Sequence, residues 1–581
     1  MARAKAEQLA LYDAYEREFP ESGRGTPQSL HPLEDRIVGN LRTPLLTLFA
    51  AVAFVLLIGC ANAANLLLSR AAARQREIAI RVCMGAGRGR IVRQLLTESL
   101  TVSLVSGLAG VILANWCLQA IRAVAPANIP GLAHTAIDLR VLGFALGISL
   151  FTGIAAGLAP ALQLFAPDLS RALKDQQGGI TTSKTGRRIR ASLVASEIAL
   201  ALVLVAGASL MIQSLWRLTA VDSGLNPRNV VTAEIGVPQA KYRSAIQAAE
   251  FHQRLLERAA HLPGVTAAGA IDTLPFGGSR AGYLYFKGLY QQIPHGSQMY
   301  TIAGHYFRAM GIPLIAGRTL TAADNENAPL VMMINQEFAR RIWGNENPVG
   351  RRLQLETGHH PTYEVIGVVG DVRSQSMQAE GPDQPPAAEF YLSAFQPLRD
   401  RPVHMTLVLR EAVVPVATAA ELRKAVAALD HDAPLFRIRT MTDVLAQSTA
   451  PPRFRALLLG SFALMAFSLA LLGVYGVVAY ATACRTQEFG LRIALGAQTG
   501  DILQLVVGHG LWMALAGVAV GVGLSLWLTR FLSSLLFGVK AASPLVHAGA
   551  AVLLTTAVLI ATILPARRAT RIDPVSALKY E

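Results

Sequence analysis

Seven stretches of this chain are apolar enough and long enough to cross a bilayer: roughly residues 45–68, 95–121, 141–165, 191–216, 455–482, 503–529 and 544–565. A bilayer core takes about 20 residues of helix. Within it each backbone N–H and C=O must find its partner inside the segment, so separate apolar runs span as helices. The sequence therefore predicts a polytopic α-helical membrane protein of about seven spans. Composition agrees, with 52% hydrophobic and only 16% charged residues.

Net charge is +15 over 581 residues. In a soluble chain that surplus would point to nucleic acid. Here the cations gather between apolar runs. Arg70, Arg74, Arg76, Arg81, Arg88, Arg90 and Arg93 follow the first run, and Lys184, Arg187, Arg188 and Arg190 precede the fourth. Arg567, Arg568, Arg571 and Lys579 follow the last. No aromatic-rich basic patch accompanies them, so no nucleic-acid partner is expected. The preference of Lys and Arg for cytoplasmic loops accounts for them. It puts these loops, residue 85 and the C-terminus in the cytoplasm. The polar N-terminus, residue 300 and the block 217–452 then lie outside it.

That outer block reads as an extracytoplasmic α/β (α+β) domain. Residues 330–335, 363–369 and 405–410 have strand composition, while 248–262 and 419–429 have helical periodicity. A further helix runs through Phe338 and Ile342.

Two repeats organise the rest. Arg74, Glu77, Arg81, Gly85 and Ala86 recur at the same spacing as Arg485, Glu488, Arg492, Gly496 and Ala497. Each copy lies between two apolar runs, so each is an amphipathic helix at the membrane surface. Ile78 and Val82 share its apolar face, and the charged residues lie on another. Pro160, Asp168, Ala172 and Lys174 likewise recur as Pro565, Asp573, Ala577 and Lys579. A whole three-span block is thus duplicated, with the outer domain between the copies. Small residues four apart, at Gly143 and Gly147, Gly153 and Gly157, and Gly517 and Gly521, permit close helix packing.

No phosphate loop, no His-Glu-x-x-His and no Gly-x-Ser-x-Gly occurs. The four cysteines, Cys60, Cys83, Cys117 and Cys484, have neither zinc spacing nor a place in the outer block. No catalytic residue, cofactor-binding residue or metal ligand is expected. Glu98, Glu197 and His509 fall within spans, where ionisable groups are functional candidates. Glu98 and Glu197 lie near enough to the span ends to snorkel toward water.

The repeated Arg/Glu/Arg/Gly/Ala pattern resembles the signature of FtsX-like ABC transporter permeases. The outer block resembles the MacB-like periplasmic core domain of that family, at residues 305–318, 334–351 and 363–372. The resemblance implies a duplicated permease: 1–43 a remnant of a first periplasmic core domain, 44–190 a first three-span permease block, 191–216 a transmembrane helix, 217–452 the periplasmic core domain and 453–581 a second three-span block. In the duplicated subfamily a further span and most of a first outer domain precede such a block, so the chain is expected to be N-terminally incomplete. The resemblance also implies a role. The two surface helices dock on a separate cytoplasmic ABC ATPase dimer, which binds the ATP. Hydrolysis there moves the periplasmic domain and drives export from the bacterial inner membrane, with lipid around the spans and room for a periplasmic adaptor. Glu77, Arg81, Gly85 and Ala86, with Glu488, Arg492, Gly496 and Ala497, would form the two coupling surfaces. The alternative is a non-transporting signalling scaffold that regulates a periplasmic partner. A secondary transporter fits less well, because deep charged residues and broken helices are lacking.

Overall fold

The structure, a computed structural model, describes residues 2–18, 33–73, 88–124, 135–163, 184–238, 241–242, 245–277, 282–289, 291–293, 296–356, 360–373, 385–396, 404–412 and 418–570. It divides into two compact units, residues 1–39 with 216–451 and residues 40–215 with 452–581.

The chain opens with α1 (Ala2–Glu18), followed by four long helices, α2 (Leu33–Ala73), α3 (Arg88–Val124), α4 (Leu139–Gln163) and α5 (Lys184–Ala220). The outer unit then alternates strands and helices: β1 (Val230–Gly236), α6 (Ala245–Ala260), β2 (Val265–Ile271), β3 (Gly282–Leu284), β4 (Ser297–Gly304), α7 (Tyr306–Met310), β5 (Leu314–Gly317), β6 (Val331–Asn335), α8 (Gln336–Trp343), β7 (Arg352–Gln354), β8 (Thr362–Val369), β9 (Glu389–Ser393), β10 (His404–Glu411), α9 (Thr418–Ala427) and β11 (Leu435–Thr440). Four helices close the chain: α10 (Met441–Ala483), α11 (Thr486–Ala494), α12 (Thr499–Leu532) and α13 (Pro544–Ala569).

In the outer unit eleven strands form one mixed sheet in the order β11-β1-β10-β2-β4-β9-β6-β8-β5, with β3 on β4 and β7 on β8. Most pairs are antiparallel; β4 with β9 and β6 with β8 are parallel. The expected strands at 330–335, 363–369 and 405–410 are β6, β8 and β10, and the expected helices are α6, α8 and α9. Phe251 and Leu255 of α6 and Leu422 and Val426 of α9 pack on one part of the sheet. Phe338 of α8 packs on Ile334, Val365 and Phe390. Asn335 fixes the turn from β6 into α8. Its side-chain oxygen accepts from the Phe338 N–H at 3.0 Å and the Glu389 N–H at 2.9 Å, and its amide donates to Ala387 O at 2.8 Å.

Among the described residues six helices are long and apolar enough to cross a membrane, within α2, α3, α5, α10, α12 and α13. The sequence counts seven. The seventh, 141–165, falls on α4, whose described apolar stretch, Leu139–Ile154, is shorter than a span. On α10 the small residues Ala456, Ala463, Ala466 and Ala470 follow a three-four spacing and pack with Ala51 and Ile58 of α2, Ala201 and Leu202 of α5, and Leu554 of α13. Such a stripe lets helix backbones approach closely. Gly517 and Gly521 of α12 do the same against α5: a Cβ at Gly517 would lie 2.7 Å from Ala195 O, and one at Gly521 would lie 3.0 Å from Ala199 Cα. Gly153 of α4 packs against Ser103 of α3, whereas Gly143 and Gly147 face open space.

Candidate functional site

The second copy of the repeated motif is α11, a nine-residue helix between α10 and α12. Its apolar side is set by Phe489. That ring is buried in a cluster with Val194 and Ile198 of α5, Val474 and Val478 of α10, Ile502 and Val506 of α12, and Val558 of α13. Ile493, one turn on, packs against the same cluster. Phe489 and Ile493 stand where Ile78 and Val82 stand in the first copy. The cluster thus links this short helix with side chains from four long ones.

The other side is polar and open. Glu488 Oε1 accepts from Arg492 Nη2 at 2.7 Å, one turn apart, and its Oε2 lies 3.9 Å from Arg485 Nε. All three side chains are about half exposed or nearly so, and such a pair contributes at most about 0.5 kcal/mol to the helix. Its effect is to hold Glu488 and Arg492 extended together on the free face. Gly496 ends the helix with φ +96°, a left-handed conformation that a side chain would strain. Its N–H donates to Ile493 O, and the Ala497 N–H donates to Arg492 O. Gln498 and Asp501 then form a reciprocal cap that starts α12. The repeated Gly and Ala thus reverse the chain between the surface helix and the next long one.

Sequence reasoning missed two residues here. Leu491 is 51% exposed and Leu495 79% exposed, one turn apart on the free face. Their i, i+4 spacing is visible in the sequence, and Ile80 and Met84 repeat it. Glu77, Arg81, Gly85 and Ala86 lie outside the described residues, so the structure brings together only the second of the two expected sets, Glu488, Arg492, Gly496 and Ala497.

Of the ionisable residues expected within spans, Glu197 does not snorkel. It is 0% exposed, turned into the bundle, and its Oε1 accepts from Asn65 Nδ2 of α2 at 3.3 Å. A polar partner on a neighbouring helix holds it in place of water. Glu98 is half-buried on α3, and His509 is exposed on α12.

A model of the MacB-like periplasmic core domain matches residues 139–425. A model of the FtsX-like permease C-terminal region matches twice, at 49–168 and 460–574. The two copies of the motif fall one in each. The pyoverdine export ATP-binding/permease protein PvdT of Pseudomonas syringae pv. syringae is 25% identical over 311 residues, which is 53% of this chain and 46% of the relative. The macrolide export ATP-binding/permease protein MacB of Chromobacterium violaceum is 27% identical over 296 residues, 50% of this chain and 45% of the relative. The chain thus spans less than half the length of these curated relatives. The crystal structure of the periplasmic region of MacB from Actinobacillus actinomycetemcomitans matches 39% of this chain and 95% of that region, at 19% identity and a TM-score of 0.26. Spanning helices, a mixed-sheet domain between two permease matches, and one motif in each match together assign the chain to the FtsX-like, MacB-like family of ABC transporter permeases.

Proposed function

We propose that the chain is the membrane permease subunit of an ABC exporter in the bacterial inner membrane, multi-pass, with its C-terminus cytoplasmic and its large domain periplasmic. ATP binds and is hydrolysed on a separate cytoplasmic ABC ATPase dimer, and the chain itself is no enzyme. The names of the relatives join ATP binding to permease function, and this chain has no phosphate loop in its sequence. The observation that carries the proposal is α11. It buries Phe489 among four long helices and offers Glu488, Leu491, Arg492 and Leu495 outward. That is the arrangement a lever needs, with a docking face on one side and a rigid attachment to the spans on the other. The matching sequence at residues 74–86 would serve the same role in the first block. Strain on the ATPase then reaches the spans and, through them, the periplasmic domain, where a periplasmic adaptor would engage.

The test is co-purification of the ATPase with wild-type chain, Glu77→Lys, Glu488→Lys and the double variant at matched membrane levels. Loss of one partner from a buried charged contact costs about 2–5 kcal/mol, mostly in the off-rate. The double variant should insert normally yet fail to hold the ATPase, with each single variant milder. Undiminished recovery with the double variant would reduce both helices to surface anchors.

A further inference from the structure

A cavity of about 200 Å³ opens between α2, α5 and α10 of the membrane-spanning unit. Leu66, Leu469, Leu472 and Val477 form its apolar wall. Leu66 and Leu472 are also well exposed, so the wall continues onto the surface that meets lipid. At one end the Arg190 guanidinium lies 4.5 Å over the Tyr480 ring.

The other end is polar and holds two unfilled acceptors. Asn62 Nδ2 donates to Leu469 O at 2.9 Å, and Asn65 Nδ2 donates to Glu197 Oε1 at 3.3 Å. Each of those bonds uses one of the two N–H groups of its amide. Asn65 Oδ1 and Glu197 Oε2 are buried without a hydrogen-bond partner. Asn65 lines the cavity and is 6% exposed; Glu197, just behind it, is 0% exposed. A methyl group on Gly473 would collide with both Glu197 Oε2 and Asn62 Oδ1, so these oxygens crowd one bare stretch of α10 backbone. Gly473 continues the three-four stripe of Ala463, Ala466 and Ala470, which keeps the three helices this close. Buried acceptors are ordinarily satisfied, and in hydrocarbon no bulk water does it.

We propose that this cavity binds an amphiphile drawn from the surrounding lipid, with an aliphatic body and a polar end that donates a hydrogen bond, a hydroxyl or an ammonium. The donor meets Asn65 Oδ1, with Glu197 behind it. The body lies against Leu66, Leu469 and Leu472. An ether or ester end has only acceptors and cannot fill Asn65 Oδ1 or Glu197 Oε2. Glu197 favours an ammonium and Arg190 a neutral hydroxyl, so the two donor chemistries are separate arms of the test. The site is independent of whether an ATPase docks on α11.

The experiment uses the full chain in lipid nanodiscs and three diazirine-bearing probes: an octyl alcohol, an octylammonium and a methyl octyl ether. After irradiation, mass spectrometry quantifies labelling of α2 and α10. At least one donor probe should label residues bordering the cavity about five-fold or more above the ether, and the stronger of the two identifies the polar end. Gly476→Leu places an apolar side chain at the cavity lining, where a Cβ meets nothing within 4 Å. Asn65→Leu removes the acceptor. Both should abolish the preference for donors. Gly476→Leu keeps the test decisive if Asn65→Leu does not fold. Equal labelling by all three probes, no labelling at the cavity, or a preference that survives Gly476→Leu would overturn the proposal and leave a crevice filled by any lipid chain.

Discussion

Replacing Leu491 and Leu495 together with serine should release the ATPase while leaving the permease folded. The two leucines stand one turn apart on the free face of α11 and are 51% and 79% exposed. Burying a whole leucine contributes about 1.5–3 kcal/mol. Docking that removes the remaining exposure of both is therefore worth about 2–4 kcal/mol. At about 1.4 kcal/mol per tenfold, the double variant should bind about 30- to 700-fold more weakly. The fold should hardly notice, because substitutions of exposed side chains usually stay within about 0.5 kcal/mol. Phe489 is the contrast: truncating a buried phenylalanine costs about 3–5 kcal/mol and would loosen α11 itself. The assay is biolayer interferometry of the ATPase on permease in nanodiscs, with expression and gel-filtration profile as controls. A loss under about three-fold with a well-folded double variant would refute the apolar docking face.

Three further outcomes follow from the geometry. His252 is held down to about 4 by burial, against the pull of its bond to Ala248 O and with help from His404, and Asp272 is pushed up to about 6 by burial. The histidine contributes stability that is complete above its unfolded value of 6.5 and is lost as pH falls through about 4. The aspartate does the reverse, contributing most below 3.8 and losing it as pH rises through about 6. The two nearly offset, so relative to wild type Asp272→Asn should lose about 3 kcal/mol of stability between pH 6.5 and 4, read as hydrogen exchange of α6 and β2 corrected for intrinsic rate; a pH-independent difference would contradict it. Gly517→Val should force α12 away from Ala195 and Ile198 of α5 and cost about 1–3 kcal/mol, lowering the thermal midpoint in detergent; an unchanged midpoint would show that this contact gives way easily. Cysteines at Lys424 and Leu495 report topology, since Tyr300 is buried and cannot: an impermeant maleimide on intact spheroplasts should label 424 alone, and labelling of 495 alone would invert the orientation.

Much of the fold is legible from the sequence because hydropathy is a strong, local signal. Six of the seven expected spans are long apolar helices, and the strands rich in valine, isoleucine, leucine and methionine, β6, β8 and β10, stand out. Strand β2 does not. Its residues are mostly alanine and glycine because α7 lies on it, and a side chain at Gly269 would strike the Tyr306 backbone. That small-residue pattern has no strand signature until the helix is in view. Helix α11 stands out in the sequence by repetition rather than by chemistry. Repetition marks Glu488, Arg492, Gly496 and Ala497, and the Ile78–Val82 face marks Phe489 and Ile493, but neither separates Leu491 and Leu495 from the buried aliphatic residues. Any amphipathic helix hides which apolar residues face the spans. Glu197 was placed in a span but assigned to water, because its partner, Asn65, lies 132 residues away in sequence and meets it only in the folded bundle.

We propose above that the ATPase grips the chain at α11. A photocrosslinking amino acid at Leu495, with the same residue at Lys424 of α9 as control, tests it in membranes carrying both subunits. Position 495 should crosslink to the ATPase and position 424 should not. A fully assembled complex that gives no crosslink from 495, or one from 424, would contradict it.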